Sequence, residues 1–119
     1  MTEPVELRRE LPVTTSDRVP SALQIEEHEG GPLAASGELD LASAPQMAAA
    51  LGQRIAAGAG DVVVDLSGLQ FCDSTGLSVF VEAHRSLQNA GRRLVLRNPS
   101  SRVHKLLVTT KLDQVLDVD

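Results

Sequence analysis

Tryptophan and tyrosine are absent from this chain, phenylalanine occurs twice and cysteine once. Each scarcity removes a class of function. Proteins that grip nucleic acid combine stacking aromatics with a basic face. Here aromatic residues make up 2% and the formal net charge is −5, so no nucleic-acid partner is expected. The Arg92-Arg93 pair is accounted for as a solvated pair ahead of a strand. One cysteine cannot close an internal disulfide, which fits a reducing compartment. No apolar run approaches the roughly 20 residues of a bilayer-spanning helix. The polar, acidic N-terminus does not read as a secretion signal. The expectation is a cytoplasmic protein without a membrane partner, and a monomer is the simplest oligomeric state.

What is present is an ordinary globular composition. The 119 residues are 42% hydrophobic and 23% charged, enough for one domain with a single core. Residues 1–20 hold Pro4, Pro12 and Pro20, scattered charges and no apolar periodicity, and read as a flexible extension ahead of a domain at 21–119. Leu23 and Ile25, then Leu33, flank Glu29-Gly30-Gly31-Pro32 as a hairpin that ends at Gly37-Glu38-Leu39-Asp40. Ser43 with Gln46 three residues on resembles a capping box, and Pro45 suits a first helical turn. Met47, Leu51 and Ile55 mark one face of the helix that follows.

Val62-Val63-Val64 reads as a buried strand and Ser67-Gly68 as a loop after it. A helix is predicted from Ser74 to about Asn89, stopped by Gly91. Leu94-Val95-Leu96 is a further strand, and Asn98-Pro99-Ser100 opens a short helix carrying Val103, Leu106 and Leu107. Val115-Leu116 reads as a closing strand. Hairpin, helix, strand, helix, strand and helix together predict an α/β fold, a mixed four- to five-stranded β-sheet with three to four α-helices packed against it.

The Ser74 helix is amphipathic. At about 100° per residue, Leu77, Phe80, Val81, His84 and Leu87 share one half of the circumference. Ser74, Thr75, Ser78, Glu82, Arg85 and Asn89 share the other, so the serine faces outward. Asp73 or Ser74 is a candidate N-cap, and capping by one leaves the other free.

Catalytic readings of this serine find no partners. His84 lies ten residues on, about 15 Å along the helix and on the opposite face, too far to serve as its base. His28 and His104 sit in no recognisable acid–base motif. Gly68 to Ser74 lacks the lysine and second glycine of a phosphate-binding loop. The three histidines and one cysteine show no metal-ligand spacing, so neither metal nor cofactor is expected. His84 is expected to be a half-buried, hydrogen-bonded packing residue, and Cys72 a small buried one. The chain is expected not to be an enzyme.

Three segments, in order and spacing, resemble the STAS domain of bacterial anti-sigma factor antagonists: Gly37-Glu38-Leu39-Asp40, Val62-Val63-Val64-Asp65-Leu66-Ser67, and Phe71-Cys72-Asp73-Ser74-Thr75-Gly76-Leu77. The likeness runs from about Ala22 to the C-terminus. It implies a partner-switching module, whose unphosphorylated form binds an anti-sigma factor that is also a serine kinase. That binding releases the sigma factor. Phosphorylation switches binding off, and a serine phosphatase restores it. The resemblance makes Ser74 the phosphoacceptor, with Asp40, Asp73, Ser74, Thr75 and Ser78 at the partner interface. Thr75 stands where the family often has a second serine, leaving two candidate hydroxyls. The alternative the resemblance allows is a STAS adaptor in a stress-signalling scaffold or a membrane transporter complex.

Overall fold

A computed structural model describes residues 23–27 and 30–119; the extension read over residues 1–20 and the start of the hairpin turn lie outside them. The chain forms strands β1 (Leu23–Glu27) and β2 (Leu33–Leu39), helix α1 (Ala44–Ala57), strand β3 (Val62–Cys72) and helix α2 (Ser74–Asn89). Strand β4 (Leu94–Arg97), helix α3 (Ser101–Thr109), a 3₁₀ turn (Leu112–Gln114) and the two-residue strand β5 (Asp117–Val118) complete it. The sheet runs β1-β2-β3-β4-β5 in spatial as well as chain order. The β1–β2 hairpin is antiparallel and all other pairs are parallel. This is the mixed α/β sheet with three helices that the pattern predicted.

The core is one cluster between the sheet and its helices. Leu33, Leu39, Val64, Leu66, Leu69, Leu94 and Leu96 from the strands have no exposed surface, and neither do Met47, Phe80, Leu87 and Leu107 from the helices. Each contributes about 1.5–3 kcal/mol relative to an exposed position. No described polar or charged residue is fully buried among them.

Strand β3 differs from its expected reading. Ser67-Gly68 is not a loop, because the strand continues through it to Cys72. Its buried positions are Val62, Val64, Leu66, Leu69 and Cys72, with spacing that lengthens from two to three after Leu66. Two register shifts against β2 cause this: Ala34 faces Asp65 while Ser36 faces Gly68, and Gly37 faces Leu69 while Glu38 faces Phe71. Each bulge inserts one extra β3 residue and turns the next side chain back to the core. A Cβ at Gly68 would lie 2.8 Å from the Ser36 Cβ, so the two strands approach this closely only because position 68 has no side chain.

The helix ends follow local rules with one exception. Arg92 N donates to Leu87 O at 2.8 Å and Gly91 N to Gln88 O at 3.0 Å, while Gly91 takes φ 72°. This is a Schellman stop for α2. Ser100 accepts from Val103 N at 3.3 Å and caps α3. The capping box read at Ser43 and Gln46 does not form. Ser43 makes no cap bond to α1, and Gln46 Nε2 donates instead to Leu23 O at 3.2 Å. The closing strand also sits two residues later than expected: Leu116 is buried, Val115 is exposed, and Asp117–Val118 pair with Val95–Leu96.

Candidate functional site

Strands β2 and β3 are parallel neighbours, so their C-terminal ends and the N-termini of α1 and α2 come together at one end of the sheet. Asp73 N donates to Leu39 O at 3.1 Å, joining the two strand-to-helix junctions directly. Gly76, in the first turn of α2, lies against the same residue. A Cβ there would meet Leu39 Cγ at 2.7 Å and Cys72 Sγ at 2.9 Å.

The two junction aspartates hold their own loops. Asp73 is the N-cap of α2, its Oδ1 accepting from Gly76 N at 2.9 Å. Asp40 Oδ1 accepts from Ala42 N at 3.0 Å, from Ser43 N at 3.1 Å and from the Ser43 hydroxyl at 3.1 Å. The Ser43 oxygen in turn accepts from Asp40 N at 3.0 Å. In each case one carboxylate oxygen fixes a turn.

Because Asp73 takes the cap, Ser74 becomes the first helical residue. It is exposed, and among the described residues its hydroxyl has no hydrogen-bond partner. Its carbonyl accepts the Ser78 hydroxyl at 3.0 Å, and Ser78 is exposed one turn along. Glu82 and Arg85 continue the ridge, 3.7 Å apart. Thr75 departs from the predicted outward face. It is half-buried and lines a groove of about 360 Å³ between α1 and α2, with Leu51, Ile55, Val79 and Ala83. A second groove, about 350 Å³, flanks the ridge on its other side and is lined by Leu77, Val81, Thr110 and Leu112. The structure therefore separates two adjacent hydroxyls: Ser74 stands free on a ridge and Thr75 sits in a groove.

Cys72 is buried, and desolvation, reinforced by the Asp73 charge, pushes its thiol up to about 12. It stays neutral and protonated, so it adds packing rather than chemistry to the site. His84 is half-buried as expected, but it is not hydrogen-bonded at Nδ1, which is buried without a partner. Among the described residues no three His, Cys, Asp or Glu side chains gather to hold a metal, and no helix is long and apolar enough to cross a membrane.

The sequence reading missed Leu41. This residue follows Asp40 at the same end of the sheet and is 73% exposed. Its only signal was an apolar side chain inside a turn, outside every helical or strand period.

Comparison with known proteins places this architecture. The family model described as Mlab, STAS domain, matches residues 22–117. The anti-sigma-B factor antagonist of Bacillus subtilis is 35% identical over 83 residues, covering 70% of this chain and 75% of that protein. An anti-sigma factor antagonist from Mycobacterium paratuberculosis superposes with a TM-score of 0.64 at 28% identity, covering 83% of this chain and 85% of that one. The phosphorylated form of the Bacillus cell fate determinant SpoIIAA shares the fold, with a TM-score of 0.60, 24% identity and coverage of 82% and 91%. The chain belongs to the STAS domain family of anti-sigma factor antagonists.

Proposed function

We propose that this STAS domain binds an anti-sigma factor through the Ser74 ridge and the Asp40 and Asp73 junctions, and that phosphorylation of Ser74 switches the binding off. The observation that carries the reading is the free, exposed Ser74 hydroxyl at the start of α2, beside a cap already supplied by Asp73. An anti-sigma factor that is itself a serine kinase would bring nucleotide, magnesium and base. The Ser74 oxygen displaces ADP from the γ-phosphoryl group and its proton passes to the kinase's base. A serine phosphatase returns the hydroxyl. The chain itself contributes the substrate and the competing surface, and acts in the cytoplasm.

The switch needs no change of fold. A phosphoserine adds about −1.5 to −2 charge at pH 7. Next to Asp73 in a desolvated contact, repulsion of about 2–3 kcal/mol lowers affinity some thirtyfold to over a hundredfold. The STAS fold tolerates the modified state, since SpoIIAA adopts it when phosphorylated. Between the two hydroxyls, the ridge position favours Ser74, because a kinase must surround its acceptor and Thr75 is recessed between two helices.

The test is to capture the anti-sigma partner with unmodified protein, incubate the pair with ATP and map the phosphate by mass spectrometry. Phosphate on Ser74 alone, with Ser74→Ala retained on the partner after ATP and Ser74→Glu released, is the expected result. Equal affinities for the two variants count against the switch. Recovery of a membrane permease in place of an anti-sigma factor favours the transporter-adaptor reading.

A further inference from the structure

Of the chain's two phenylalanines, Phe80 is buried in the core and Phe71 is 40% exposed. The exposure follows from the second bulge in β3. Regular alternation from the buried Leu69 would turn Phe71 inward and Cys72 outward. The register shift between Leu69 and Phe71 does the reverse, leaving Gln70 and Phe71 exposed and Cys72 buried. Bulges re-aim side chains in this way beside functional sites.

Phe71 forms one wall of a groove of about 320 Å³ between the end of β3 and α3. Cys72, Val103 and Leu106 complete its apolar lining, and Arg102, Lys105 and Thr109 line it from α3. Arg102 and Lys105 are exposed. Neither makes an ion pair or a side-chain hydrogen bond among the described residues. In a chain of net charge −5, residues 101–112 contain no Asp or Glu. The acids of neighbouring segments stand outside the lining. Glu38 faces Phe71 in register from β2, the Asp73 carboxylate holds Gly76 N, and Asp113 follows α3 in the 3₁₀ turn.

Arg102 and Lys105 are about one turn apart on α3, roughly 4.5 Å along its axis. A helix with acidic residues three or four apart, beside a row of large apolar ones, repeats that spacing with opposite charge. We propose that this groove docks an acidic amphipathic helix of a partner protein. Its apolar side chains sit between Phe71 and Leu106, and its carboxylates meet Arg102 and Lys105. Aromatic and arginine side chains are the anchors that dominate protein interfaces. Phe71 and Ser74 are three residues apart, no more than about 11 Å of extended chain, so a protein held here lies beside the Ser74 ridge. The groove contains neither Ser74 nor Thr75, and the proposal does not depend on the phosphorylation switch.

The probe is an alanine-based peptide of about 15 residues, long enough to populate a helix, with leucine at i and i+4 and glutamate at i+3 and i+7. Titrated into full-length nitrogen-15 protein, it should shift the amides of Phe71, Cys72, Arg102, Lys105 and Leu106 saturably and leave Gly52 and Val63 unmoved. Lysine in place of the peptide's glutamates should weaken binding by about tenfold or more, and the double variant Arg102→Glu, Lys105→Glu should reverse that preference. Phe71→Ser should weaken binding by a similar factor; unchanged core resonances check that each variant is folded. No saturable shift, shifts centred on Gly52 and Ser78, or equal binding of the acidic and basic peptides overturns the proposal. So does sedimentation of the protein with phosphatidylglycerol vesicles that the charge reversal abolishes, because the groove then meets a membrane surface.

Discussion

The amide of Asp73 donates to the carbonyl of Leu39 across 3.1 Å, so the junction that presents Ser74 is fastened to the end of the neighbouring strand. That bond couples the Asp40 turn and the α2 N-terminus into one surface. A change on either side should be felt by both.

Asp73 serves as cap and as charge, and two substitutions separate the roles. Asp73→Ala removes the acceptor for Gly76 N and should cost about 1 kcal/mol, whereas Asp73→Asn keeps a good cap and should be nearly neutral. Thermal melts read the difference. If charge next to Ser74 matters to the switch, Asp73→Asn will show a smaller loss of partner affinity on phosphorylation than wild type.

Gly76→Ala should destabilise the protein by about 1–3 kcal/mol although alanine is the better helix former. The new methyl would meet Leu39 and Cys72 below 3.0 Å. A melt unchanged or raised would show that the junction can open to receive it.

Leu41→Ser should leave stability within about 0.5 kcal/mol, as expected for a surface substitution. The same change should weaken binding of the anti-sigma partner by about tenfold, or about 1.4 kcal/mol. Loss of stability with unchanged affinity would assign Leu41 to the fold.

The Cys72 thiol is raised to about 12, so the folded state holds its proton more tightly than the unfolded chain, whose thiol titrates near 8.5. Its contribution is complete below that value and is lost as pH rises from about 9 towards 12. Alkylation at pH 8 should therefore occur only after denaturation, and Cys72→Ala should flatten the alkaline fall in stability. Rapid labelling of native protein would contradict this.

The Arg93 hydrogen bond, at 2.9 Å, is the largest cause holding the Asp117 carboxyl below its usual range. The contribution of a depressed carboxyl is present above the unfolded value and lost as pH falls through the folded one. Both partners are exposed, so screening keeps it small. Asp117→Asn should lower the melting temperature slightly at pH 7, a difference that fades as acid protonates the carboxyl in the folded state and shrinks in high salt.

Much of the fold was legible because its signals are local. The α2 limits come from Asp73 and Gly91, and its buried face from Leu77, Phe80 and Leu87, all set by bonds and periods between near neighbours along the chain. The exposed serine at its start followed from the same periodicity. The reading failed at Ser67-Gly68, where a regular strand period breaks and a loop is the natural inference. It failed again at Ser43, whose hydroxyl serves the Asp40 turn rather than the helix.

The amino-acid order by itself determined which segments become helix or strand, which faces turn inward, and that a serine opens α2. The assembled sheet decided the rest: that β3 runs on through two bulges, that Leu39 anchors Asp73, and that Thr75 sinks into a groove while Ser74 stands clear. Capping and periodicity act between near neighbours along the chain. A bulge or a recess depends on residues thirty positions away, whose approach only packing sets.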